Sequence, residues 1–193
     1  MACPCGALNS PQALEEPIML KKLALIVGAL LAALLVFTIT RPDDFRVQRE
    51  IEIKAPPEKI MPLLTDFKQF GQWSPWEHLD PKMQREFSGA PSGPGAIYAW
   101  QGNDDVGKGR MEILSATPEK VVIKLDFLSP FEAHNTAEYT LSRQGENTRM
   151  TWAMFGPANF LTKLMGVFIS MDSMVGKDFE KGLSQIKQVA EKP

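Results

Sequence analysis

At 193 residues the chain has room for one medium domain and a short appendage, and a large multidomain enzyme is excluded. Its 21 Lys and Arg against 23 Asp and Glu give a formal charge of -2, without the basic surplus that phosphate-backbone binding needs, so nucleic acid is not expected as a partner. The only two cysteines, Cys3 and Cys5, lie at the extreme N-terminus with no histidine nearby, which excludes a structural zinc site or a disulfide framework for the main domain. No metal or other cofactor is expected.

The first element is an apolar run, residues 23–39, reading LALIVGALLAALLVFTI between Lys21-Lys22 and Arg41-Pro42-Asp43-Asp44. As a helix rising about 1.5 Å per residue it spans roughly 25 Å, and the flanking Lys21, Lys22 and Arg41 can snorkel to make up the rest of a hydrocarbon core of about 30 Å. A cleaved signal would end in a small-x-small site, whereas this run ends in Val36-Phe37-Thr38-Ile39-Thr40. Residues 20–40 are therefore expected to be a retained single-pass signal anchor. The lysine pair on the N-terminal flank favours an extracytoplasmic domain, periplasmic in a Gram-negative bacterium, although Arg41, Arg46 and Arg49 nearly balance the count. Residues 1–19, with Pro4, Pro11 and Pro17 and no periodicity, are expected to be disordered or to precede the true start at Met19.

Beyond Asp44 the chain alternates, with Phe45, Val47, Ile51 and Ile53 apolar against a largely charged set, which predicts a strand over 45–54. Pro56-Pro57 ends it, and two short helices are expected over 58–64 and 67–73, with Pro62 near the start of the first. Six further strands follow over 82–88, 97–101, 107–116, 120–128, 132–142 and 148–155, separated by turns such as Gly102-Asn103-Asp104-Asp105 and Gln144-Gly145-Glu146-Asn147. Residues 159–191 read as one long helix with Leu161, Met165, Phe168, Val175, Phe179, Leu183 and Ile186 along one stripe. This order predicts an α+β fold in which a curved antiparallel sheet grips the long C-terminal helix.

Several motifs match a known family. They are Trp73-Ser74-Pro75-Trp76 followed by Asp80-Pro81; Gly95-x-x-Tyr98-x-Trp100-x-Gly102-Asn103; Val106-Gly107-x-Gly109-x-Met111; and the run from Met171-Asp172 through Phe179-Glu180 to Gly182-Leu183. On these residues the segment 45–191 resembles the START-like, or SRPBCC, superfamily, specifically the membrane-anchored polyketide cyclase/dehydrase and lipid transport family. The resemblance implies a helix-grip fold with an internal cavity. It says little about activity, because the superfamily uses that cavity for many purposes.

Alternation assigns an inward set to each strand: Tyr98 and Trp100; Met111; Phe127; Tyr139; Trp152 and Met154. Rings beside flexible thioethers suit a hydrophobic ligand, although the same residues could simply fill a core. Trp73 and Trp76 flank a short loop and either plug one end of the sheet or border the mouth of a pocket. Phe168 and Val175 are expected to face the sheet from the helix, closing a cavity of roughly 300 to 1,000 Å³. With Phe168 taken as zero and about 100° per residue, Asp172 falls on the same stripe, where it is either a satisfied buried acid or a ligand anchor or general base with a raised pKa. It is the one catalytic candidate. His78 and His134 are expected on the surface, and no nucleophile elbow or paired carboxylates can be identified.

The reading that follows is a single-pass membrane protein whose helix-grip domain binds a hydrophobic small molecule or lipid. One alternative is a cyclase-type enzyme using the same cavity; the other is a protein-interaction module akin to the superfamily's chaperone-activating members. No particular protein partner can be named.

Overall fold

The structure, a computed structural model, describes residues 16–192, so the expectation for most of the N-terminal extension, with Cys3 and Cys5, falls outside the described residues. The chain divides into two compact units, Met1–Arg41 and Pro42–Pro193. In the first, helix α1 (Glu16–Ile39) contains a 21-residue stretch, Met19–Ile39, long and apolar enough to cross a membrane. By length and composition it is a membrane span or a signal sequence.

The second unit is built on seven strands: β1 (Asp44–Ile53), β2 (Gln84–Gly89), β3 (Ala96–Gln101), β4 (Lys108–Thr117), β5 (Lys120–Ser129), β6 (Ala133–Gln144) and β7 (Asn147–Pro157). They form one antiparallel sheet in the order β1-β7-β6-β5-β4-β3-β2. All seven strands expected from alternation are present, with ends shifted by a few residues. Short turns produce the meander from β2 to β7, and β1 closes against β7 with Asp44 opposite Pro157 and Ile53 opposite Thr148.

Between the edge strands β1 and β2 the chain crosses as α2 (Pro57–Thr65) and two 3-10 turns, Phe67–Gln72 and Pro75–His78, the last of which was not expected. Pro62 lies inside α2, and Asp66 caps the following turn by accepting from the Lys68 amide. Trp73, at the junction of the turns, is fully buried and its indole donates to the Leu63 carbonyl at 2.9 Å. It plugs the sheet rather than bordering a mouth.

The expected single C-terminal helix is two helices, α3 (Phe160–Phe168) and α4 (Met171–Ala190). Ile169 and Ser170 are extended, and the Ser170 hydroxyl accepts from the Ser173 amide as an N-cap. Helix α4 packs along β1 and buries Gly176, Phe179, Gly182, Leu183, Ile186 and Ala190, a stripe at three- and four-residue spacing. Helix α3 has no buried residue. A long C-terminal helix is thus gripped by the sheet, but it starts at Met171.

Candidate functional site

Opposed residues on paired strands share a face, so the register groups the concave side into rows. One row runs Tyr98–Met111–Leu125–Asn135; another runs Val121–Tyr139–Trp152. The rows differ in what covers them.

Under α4 the space is filled with rings. Trp152 stacks on Phe179 with centroids 4.2 Å apart and planes 9° from parallel, and receives Trp73 edge-on at 5.5 Å and Tyr139 at 5.3 Å. The helix approaches this closely because Gly182 lies over the indole: a Cβ there would come within 2.7 Å of Trp152 Cζ3. Met154 and Tyr98 are buried in the same core. Trp152 and Tyr98, expected to line a drug-sized cavity beneath the helix, are close-packed. Two open clefts, of about 210 and 320 Å³, lie instead along the β2 side, one beside Phe67 and Phe87 and the other beside Arg85 and Arg110.

Beyond the reach of α4, Trp100, Met111 and Phe127 are only half-buried, as are Met171 and Val175 at the start of α4 and Trp76 on the second 3-10 turn. Trp100 lies flat over Gly109, where a Cβ would meet its ring, meets Phe127 edge-on at 6.0 Å, and donates to the Val106 carbonyl at 3.0 Å. Trp76 meets Trp152 at 5.8 Å and Phe179 at 6.3 Å.

Two polar atoms on the concave face have no hydrogen-bond partner: the indole Nε1 of Trp152, 4% exposed, and the amide oxygen of Asn135, 6% exposed. Each such atom costs about 1–3 kcal/mol when left unmade, and native structures rarely leave them so without a reason. Asn135 lies four residues along β6 from Tyr139, the strand partner of Trp152, a separation of about 13 Å. Sequence analysis passed over Asn135, although a polar residue in the inward phase of Ala137 and Tyr139 was the available signal.

It also passed over Glu77. The Tyr98 hydroxyl donates to Glu77 Oε1 at 2.5 Å, and Arg85 donates from Nε to Glu77 Oε2 and from Nη2 to the Glu77 carbonyl, both at 2.7 Å. Burial, reinforced by the adjacent carboxylate, pushes the Tyr98 phenol well above its ordinary value. This network fastens the Pro75–His78 turn to β2 and β3.

Two expected site residues are exposed to solvent. Phe168 is 74% exposed at the end of α3 and does not face the sheet. The Asp172 side chain is 58% exposed and makes a two-pronged ion pair with Arg49 of β1, at 2.7 and 3.0 Å. Arg49 also holds Glu180, at 2.8 Å. The Arg49 hydrogen bonds keep the Asp172 carboxyl below the usual carboxylate range, the opposite of the rise that the ligand-anchor or general-base alternative required. The break at Ile169–Ser170 puts Phe168 on a separate helix, off the buried stripe; Asp172 stays on the stripe of α4, seven residues before Phe179, but in the first turn, where it meets Arg49 and solvent rather than the core. His134, on the convex face, bonds the buried Asp126 at 2.7 Å, which raises the imidazole above its ordinary value. Among the described residues no group of three or more His, Cys, Asp or Glu is placed to hold a metal ion.

The sequence pattern that defines the family described as "Polyketide cyclase / dehydrase and lipid transport" matches residues 44–191. The chain belongs to this family. Among solved structures it is similar to the Aha1 dimer from Colwellia psychrerythraea, at 15% identity and a TM-score of 0.55 over 76% of this chain and 96% of that one. It is also similar to the di-domain ARO/CYC BexL from the BE-7585A biosynthetic pathway, at 14% identity and 0.57 over 92% and 61% of the two chains. Protein CV1439 from Chromobacterium violaceum aligns at 14% identity and 0.53 over 79% and 100%. At such identities these likenesses establish the helix-grip fold alone. No curated protein matches in sequence.

Proposed function

We propose that the protein is a membrane-anchored binder of a hydrophobic small molecule or lipid, held at the half-open end of the concave face. The observation that carries this reading is the combination there of an apolar rim, Trp100, Met111 and Phe127, with the unpartnered amide oxygen of Asn135 in the row of Met111. Such a surface offers area to an acyl or isoprenoid-like chain and an acceptor to a ligand hydroxyl or amide. Trp152 Nε1 supplies a matching donor for a ligand that threads further under α4. Membership of a family that includes lipid transport is consistent with this chemistry.

The anchor is α1, retained as a single span, with the second unit extracytoplasmic. Its length and composition support a span, and the lysine pair at its N-terminal flank supports the side. The cyclase alternative loses its acid, because the Asp172 carboxylate is more than half exposed and committed to Arg49, and the Tyr98 hydroxyl is committed to Glu77.

The test is native mass spectrometry of the full chain extracted from membranes in mild detergent, beside a Met111→Glu variant. Lipid adhering to α1 is common to both proteins. A small hydrophobic adduct retained by the unaltered chain and lost from the variant supports the reading; identical adduct spectra contradict it.

A further inference from the structure

Helix α3 is apolar on the side turned away from the protein. Taking about 100° per residue, Leu161, Met165 and Phe168 fall within roughly 60° of one another. All three are exposed, as are Phe160 before them and Ile169 after. The opposite side, with Thr162, Gly166 and Val167, is half-buried. The one charged residue of the helix, Lys163, is turned inward: its side chain is 12% exposed and its ammonium bonds Asp43 Oδ1 at 2.5 Å. The outward face therefore carries no charge. A soluble surface seldom leaves so many large apolar side chains together, and such a patch marks a contact.

The covalent chain indicates what covers it. Asp43, which holds Lys163 and accepts from the Ala158 amide at 2.8 Å, is separated from Ile39 by residues 40–42 alone. Four steps of extended chain reach at most about 14 Å. If α1 spans a bilayer, as the proposed function holds, Asp43 is tethered within about that distance of the point where the span ends, on the scale of the headgroup layer, and α3 begins two residues after Ala158, which Asp43 holds.

We infer that α3 lies in the bilayer interface, with Leu161, Met165 and Phe168 inserted among the lipids at the boundary of headgroups and acyl chains. Interfacial helices bury an apolar face about 5–10 Å deep in this way. The inference rests on the anchor reading and deepens it. Helix α3 leads through Ile169–Ser170 directly into Met171 and Val175, the half-buried start of α4, so an α3 seated in lipid would hold the N-terminal end of the gripped helix near the membrane surface.

The experiment uses the full chain with Cys3→Ser and Cys5→Ser, reconstituted in phosphatidylcholine vesicles. Nitroxide labels are placed singly through Leu161→Cys, Met165→Cys, Phe168→Cys, Leu30→Cys in α1, and Glu146→Cys in the exposed β6–β7 turn. Accessibility to oxygen and to a water-soluble nickel chelate is read by electron paramagnetic resonance. The inference expects an oxygen-to-nickel ratio several-fold higher at 161, 165 and 168 than at 146, with residue 30 at bilayer depth. If residue 30 is at bilayer depth while the α3 labels match residue 146, the inference fails and the anchor stands. Labels on α3 shielded from both reagents would mean that protein covers the face, which also overturns it. Nickel access at residue 30 would remove the anchor and the inference with it.

Discussion

The Arg49 guanidinium on β1 grips the Asp172 carboxylate on α4 with two hydrogen bonds, of 2.7 and 3.0 Å, and so fixes the first turn of the gripped helix to the edge strand. A carboxyl whose pKa is lowered in the folded state contributes stability above its unfolded value, about 3.9, and loses it as pH falls through the folded value. Replacing Asp172 with Asn should therefore lower the thermal midpoint modestly at neutral pH. The difference from the unaltered protein should shrink toward zero below the carboxylate range. A difference that persists at low pH would mean that the residue acts through something other than this ion pair.

The contact between Gly182 and Trp152 leaves no room for a side chain. Gly182→Ala should destabilise the domain by about 1–3 kcal/mol through overpacking. Phe179→Ala, which removes the ring stacked on Trp152, should cost about 3–5 kcal/mol. Denaturant titration of each variant measures both effects. A neutral Gly182→Ala would show that a void does exist beneath α4.

His134 should titrate above the ordinary histidine value of about 6.5, because the Asp126 carboxylate accepts from its ring. The stabilisation that goes with this is present below that value and is lost as pH rises through the folded pKa. A proton NMR titration of the imidazole gives the value directly. In Asp126→Asn it should move down.

Asn135→Leu replaces a buried unpartnered acceptor with an apolar side chain of similar shape. The ligand-free protein should be as stable as before or more so, by up to about 1–3 kcal/mol, while retention of a bound hydrophobic molecule falls. Stability and binding moving in opposite directions is the expected behaviour of a polar group kept for a ligand. A variant that loses stability with binding unchanged would make Asn135 a structural residue.

The strands were legible because alternation is a local signal, and each run from Phe45 to Phe155 carried its own period and its own turn residues. The Trp152 neighbourhood was legible for the same reason, since cross-strand partners share a phase. The C-terminal helices were less so. Residues 159–191 keep an apolar period on both sides of Ser170, and only the capping geometry shows that the helix stops and restarts. Asp172 does fall on the stripe of α4, but in its first turn, where its partners are Arg49 and solvent rather than the core. Glu77 was missed because its partners, Tyr98 and Arg85, come from strands that only the tertiary fold brings to it.

The central claim, that the half-open end of the concave face holds a hydrophobic molecule, is tested most directly by photolabelling in place. A fatty acid carrying a diazirine near the end of its acyl chain is added to membranes containing the full chain, irradiated, and the modified residues are mapped by mass spectrometry. The account predicts label on β3, β4 and β5, at or beside Trp100, Met111 and Phe127, reduced when unlabelled fatty acid competes. Label confined to the apolar helix α1 and the outer face of α3, with none on those strands, would contradict it.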